Sequence, residues 1–116
     1  MDKSAVIEML DSYLDALNSG DYSTVQFSDD VRFFGPMQDQ PIEGKQALIE
    51  FLSGVTEGFR GVRTVRHIVD GAAACSLIEF KTNDGLVVPI VDYFEVSEGG
   101  ITYIRPYFDP RPIAES

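Results

Sequence analysis

The sequence predicts an α+β domain in which helices come first and cover one face of an antiparallel sheet. Two observations carry this. Apolar residues recur at helical spacing through the first half, and from Val62 onward they alternate with period two. Three hairpin-turn dipeptides, Asp70-Gly71, Asp84-Gly85 and Gly99-Gly100, cut the second half into short segments. Helices followed by a meander imply segregated layers, with the helices packed on one sheet face.

The elements follow in order. Ser4 can cap a first helix running to about Leu17, because Val6, Leu10, Tyr13, Leu14 and Leu17 form one apolar stripe. Asn18-Ser19-Gly20 ends it. A second, shorter helix is predicted over 22–27, and a short strand over 31–34 ends at Gly35-Pro36. A polar loop carrying Pro36 and Pro41 leads to Gly44. A third helix is predicted over 45–52, with Ala47, Leu48, Phe51, Leu52 and Val55 on one side. A polar, Gly-containing stretch over 53–61 leads out of it. Strands are predicted over 62–69, 73–82, 86–96 and 101–108.

Length and composition bound the function. A chain of 116 residues fits a single domain over 1–116, large enough to bury a core without staples. Mean hydropathy is −0.03, and no apolar run approaches the roughly 20 residues of a membrane span. The opening MDKSAVIEML lacks a signal-peptide layout, so a cytoplasmic location is expected and no membrane partner. Cys75 is the only cysteine and His67 the only histidine, which excludes an internal disulfide and a multi-His metal site. No metal or organic cofactor is expected. Nineteen acidic residues against nine basic give a net charge of −10, which repels nucleic acid.

The informative residues are those that break the pattern. Val88, Ile90, Asp92, Phe94 and Val96 share one face of their strand, so Asp92 is a lone carboxyl in an apolar row. Its burial without a cation on that row predicts a raised pKa and a partly neutral side chain, able to donate a hydrogen bond. The competing reading is that Asp92 ties down a loop or helix terminus. Tyr13 lies on the buried stripe of the first helix with a hydroxyl that needs a partner; alone, it reads as a core tyrosine. Two donors converging in a dry cavity would stabilise a developing oxyanion. In the last strand Ile104, Pro106 and Phe108 share one face, while Tyr103, Arg105, Tyr107 and Asp109 share the other. The second row suits either a subunit interface or solvent, and a homodimer through this outer sheet face is expected.

The chain resembles the nuclear transport factor 2-like superfamily, which includes ketosteroid isomerases, SnoaL-like polyketide cyclases and limonene epoxide hydrolases. The resemblance lies in Asn18-Ser19-Gly20-Asp21 closing a helix, Phe27-Ser28-Asp29-Asp30-Val31, Pro41-Ile42-Glu43-Gly44 opening a helix, and the ending Ile101…Arg105-Pro106-Tyr107-Phe108-Asp109. It covers nearly the whole chain. It implies a cystatin-like cone, with three N-terminal helices on a strongly curved antiparallel sheet around an apolar pocket. The expected lining is Phe33 and Gly35, Phe51 and Val55, Ile90 and Phe94, and Ile104, Pro106 and Phe108. By the same resemblance Tyr13 falls at the oxyanion-hole tyrosine of ketosteroid isomerase, and Asp92 at its protonated aspartic acid. The position of that enzyme's general base falls on Gly35, which cannot take a proton. The late-strand aspartate of the epoxide hydrolases falls on Pro106.

Candidate bases elsewhere are Asp39, Glu43, Glu79 and His67. Asp39 and Glu43 lie by the polar loop. The facing of Glu79 is open. His67 shares a face with Val65 and Val69 and can look inward. Three functions are compatible with these residues. The first is a cofactor-independent isomerase, cyclase or dehydratase acting on a small apolar molecule, with Tyr13 and Asp92 as donors and His67 or Asp39 moving the proton. The second is a carrier that binds such a molecule unchanged. The third is a dimerisation module whose cavity is closed by Phe33, Phe94 and Phe108.

Overall fold

The computed structural model describes residues 2–36 and 38–114. Its elements are α1 (Lys3–Ser19), β1 (Phe27–Phe33), β2 (Ile42–Glu43), α2 (Lys45–Glu57), β3 (Phe59–Asp70), β4 (Ala73–Thr82), β5 (Val87–Ser97), β6 (Gly100–Tyr107) and the single turn α3 (Arg111–Ala114). One six-stranded sheet runs β2-β1-β6-β5-β4-β3. The meander β3 to β6 is antiparallel throughout, whereas β1 lies parallel to β6, with Phe33 opposite Ile104. The sheet is therefore mixed rather than antiparallel.

The cap of α1 is Asp2, not Ser4: the Asp2 carboxylate accepts from the Ala5 amide at 2.8 Å. Gly20 ends the helix in the left-handed conformation (φ 79°), donating its amide to Ala16. Val6, Leu10, Tyr13, Leu14, Ala16 and Leu17 are its buried face.

The helix expected over 22–27 does not form. Ser19 Oγ accepts from the Asp21 amide and the Asp21 carboxylate from the Ser23 amide, so side chains hold this segment as turns. Tyr22 and Val25 still anchor it, both buried, and the Tyr22 hydroxyl bonds Thr56 Oγ1 at 2.6 Å. Phe27 then joins the sheet opposite Ile101. Two full helices, not three, precede the meander.

α2 continues past Leu52 to Glu57. There the Ser53 and Thr56 hydroxyls satisfy themselves locally, donating back to the carbonyls of Ile49 and Leu52.

Alternation in β5 sets the two faces of the sheet. Val88, Ile90, Asp92, Phe94 and Val96 are buried, while Val87, Pro89, Val91 and Glu95 are exposed. The inner face packs with α1 and α2 into one core. Irregular register in β3, between Phe59 and Gly61 and between Thr64 and Arg66, marks bulges that bend a strand and raise its twist. The end of α1 is tied to this edge strand by Asn18, whose amide group bonds both the N–H and the C=O of Val62.

Candidate functional site

α1, α2 and the inner sheet face leave a cavity of about 520 Å³ between them. Its walls are apolar: Leu17 from α1, Phe33 from β1, Phe51, Leu52 and Val55 from α2, Ile78 and Phe80 from β4, Ile90 from β5, then Pro106 and Phe108. The exposed end carries Pro36, Gln38, Asn83, Asp84, Leu86 and Pro112. There the Gly35 amide donates to Gln38 Oε1 at 3.0 Å, which shapes the loop after β1.

Two polar side chains line the buried part, Tyr13 and Asp92, exposed by only 2% and 4%. Helical spacing on α1 aims Tyr13 at the sheet, and its ring is held edge-on by Phe27 and Phe94. Strand alternation aims Asp92 at the same space. Burial pushes the Asp92 carboxyl up to about 7. The Tyr13 hydroxyl is raised well above its ordinary value, chiefly by burial and then by the nearby Asp92 charge. Tyr13 is thus a donor at neutral pH, and Asp92 is poised between acid and carboxylate. Among the described residues neither has a hydrogen-bonding partner, and no buried side-chain polar atom is sealed off without one. Both therefore face the cavity.

Seven of the nine expected lining residues do line it: Phe33, Gly35, Phe51, Val55, Ile90, Pro106 and Phe108. Phe94 and Ile104 do not. Both are fully buried in the core behind it, so Phe33, Phe94 and Phe108 do not close the cavity. Asp39 is an exposed loop residue away from the lining. Glu43 is exposed and pairs with Arg32 at 3.4 Å. Glu79 points outward and pairs with Arg63 at 2.7 Å. His67 also lies outside the cavity lining, although on the inner face. Its register there is set by the bulge at Thr64/Arg66, which removes Val65 from the alternation. The imidazole bonds Asp11 Oδ1 through Nε2 at 2.7 Å and Ser76 Oγ through Nδ1 at 2.8 Å.

Sequence reasoning missed Asp84. It read as a turn residue, and its place at the cavity mouth follows from the β4–β5 hairpin folding over the end of α2. The Thr82 hydroxyl beside it holds its carboxyl below the usual range, which makes it a weak base. Ile78 and Phe80 were within reach of the alternation rule, since they share the buried face of β4 with Ala74 and Ser76. Among the described residues no group of three His, Cys, Asp or Glu side chains is placed to hold a metal ion, and no helix is long and apolar enough to cross a membrane.

The family model for a domain of unknown function, DUF4904, matches residues 1–116, and the chain belongs to that family. No curated protein matches it. Among solved structures, a SnoaL-like polyketide cyclase candidate from Jannaschia is similar at 18% identity and TM-score 0.79, covering 98% of this chain and 94% of that one. A candidate ketosteroid isomerase from Kribbella flavida is similar at 19% identity and TM-score 0.75, covering 88% and 76%. An NTF2-like protein of unknown function from Cytophaga hutchinsonii is similar at 20% identity and TM-score 0.75, covering 93% of each chain. The chain shares the fold of these structures.

Proposed function

We propose that the cavity takes a small apolar molecule whose carbonyl or related oxygen sits between Tyr13 and neutral Asp92, without a cofactor. One observation carries this: an apolar cavity of about 520 Å³ has Tyr13 and Asp92 as the polar groups of its buried part. Preorganised donors in a dry site stabilise charge that develops on oxygen. That chemistry serves isomerisation, aldol-type cyclisation or dehydration next to a carbonyl. Turnover of a panel of enones and β-keto compounds tests it. Asp92→Asn and Tyr13→Phe should each lower kcat by about 10²–10³-fold. Turnover indifferent to both substitutions would overturn the donor roles.

Carriage without reaction is the second reading. It is favoured by Gly35, where the related isomerases keep a base, and by the weak basicity of Asp84. Gly35→Asp separates the two. A Cβ built on Gly35 meets Phe33 at 3.4 Å and Gln38 at 3.6 Å, which is ordinary contact, so a side chain can begin there. If the donor half is sound and the base is what is missing, this variant gains enone isomerisation.

The outer sheet face supports a homodimer. Val87, Val91 and Tyr107 are exposed there, and Arg105 stacks on Phe34 and Tyr107. Sedimentation should give a dimer, and Val91→Glu should give a monomer that keeps its fold.

A further inference from the structure

A line of side chains crosses the inner face and ends at the cavity. His67, Ser76 and Asp92 are successive cross-strand partners on β3, β4 and β5. Asp11 of α1 closes the outer end through His67 Nε2, and His67 Nδ1 bonds Ser76 Oγ. Carboxylate, imidazole and hydroxyl in this order look like a hydrolase triad. They cannot act as one, because Ser76 is fully buried and does not line the cavity, so no substrate reaches its oxygen.

The line ends instead at Asp92. Directly opposed residues of an antiparallel pair have Cβ atoms about 4.5–5.5 Å apart, so Ser76 is the polar residue beside Asp92 within the sheet, adjacent to its carboxyl but not hydrogen-bonded to it. The hydrogen-bonding direction of Ser76 is set by His67. A carboxylate oxygen only accepts, so His67 Nε2 carries a hydrogen toward Asp11. With a neutral ring, Nδ1 is bare and the Ser76 hydroxyl must donate to it. Its lone pairs are then left toward Asp92. With a charged ring, Nδ1 donates to Ser76, which frees the hydroxyl hydrogen to turn toward Asp92. The first arrangement favours the neutral carboxylic acid and the second favours the carboxylate. In a site this dry, one dipole reversal is felt strongly.

We propose that Asp11, His67 and Ser76 form a relay that couples the exposed α1 surface to buried Asp92, with His67 as a positioning residue that acts through Ser76. This rests on Asp92 being the working carboxyl of the cavity. The facing groups are Asp11 from α1 and Ser76 from β4 at His67, and Tyr13 from α1, Ser76 from β4 and Pro106 from β6 at Asp92. His67 bonds both Asp11 and Ser76.

The test is a carboxyl-carbon NMR titration of Asp92 in the free protein, with the imidazole followed in the same samples. His67 is the single histidine, so its signals need no assignment. The Asp92 carbon should show a second inflection at the pH where the imidazole titrates. That inflection should vanish in both His67→Gln and Ser76→Ala, with amide spectra confirming the fold. Superimposable Asp92 curves in wild type and His67→Gln overturn the relay. Loss of the inflection in His67→Gln but not in Ser76→Ala overturns the route through Ser76. No ligand is needed, so an inert relay is told apart from a cavity that binds nothing. Failure of the cavity to act on a ligand would show in the enone panel, not in this titration.

Discussion

Asp92 fixes the behaviour of the site through a single physical cost. Its carboxyl is raised to about 7 by burial, against an ordinary value of about 3.9 in the unfolded chain. The folded protein therefore holds a proton that the unfolded chain has released between those values. Stability is unaffected by Asp92 below pH about 4, and it falls as pH rises through the window to about 7, by about 4 kcal/mol in all. Asp92→Asn is neutral at every pH and should flatten this slope, making the variant more stable than wild type at pH 8 in thermal unfolding. Asp21, Asp84 and Asp109 act in the opposite sense and a different window. Their carboxyls are held low by hydrogen bonds, so their contribution is lost only as pH falls below the ordinary carboxylate range. Asp92 and Tyr13 were legible in the sequence because strict alternation and strict helical spacing assign each a face. The inward facing of His67 rests on Val69, which shares its face, whereas the bulge between Thr64 and Arg66 takes Val65 out of the alternation. Its bonds to Asp11 and Ser76 join three elements and leave no local pattern to read.

At the scale of elements, the segment between α1 and β1 shows where local pattern gives way to tertiary pairing. Residues 22–27 carry apolar Tyr22, Val25 and Phe27 at roughly helical intervals, but Phe27 pairs with β6 and the preceding residues are held in turns. The crossing is tight at Gly100, the first residue of β6. Its φ is 122°, and a Cβ there would meet the Gln26 carbonyl oxygen, whose partner is the Ile101 amide. Gly100→Ala should cost more than about 1 kcal/mol, read as a lower urea midpoint at unchanged m. The two-residue β2 and the last turns of α2 were beyond periodicity for the same reason. β2 pairs with Arg32 and Phe33 of β1, and the end of α2 is met by the Tyr22 hydroxyl, which bonds Thr56 Oγ1.

For the whole molecule, the fold class was legible because the long helices and the meander occupy separate halves of the chain and Gly dipeptides mark every turn of the meander. The parallel contact of β1 with β6 was not legible, since it joins residues some seventy positions apart. That contact completes the wall of the cavity, bringing Phe33 beside the strand that carries Pro106. The cavity is thus a property of the closed fold, and its two buried polar groups are properties of single positions within it. Burial there is expected to hold Asp92 neutral enough to donate. Carboxyl-carbon NMR of Asp92 tests it most directly: a main transition near pH 7 is predicted, and a midpoint at or below about 3.9 would contradict it.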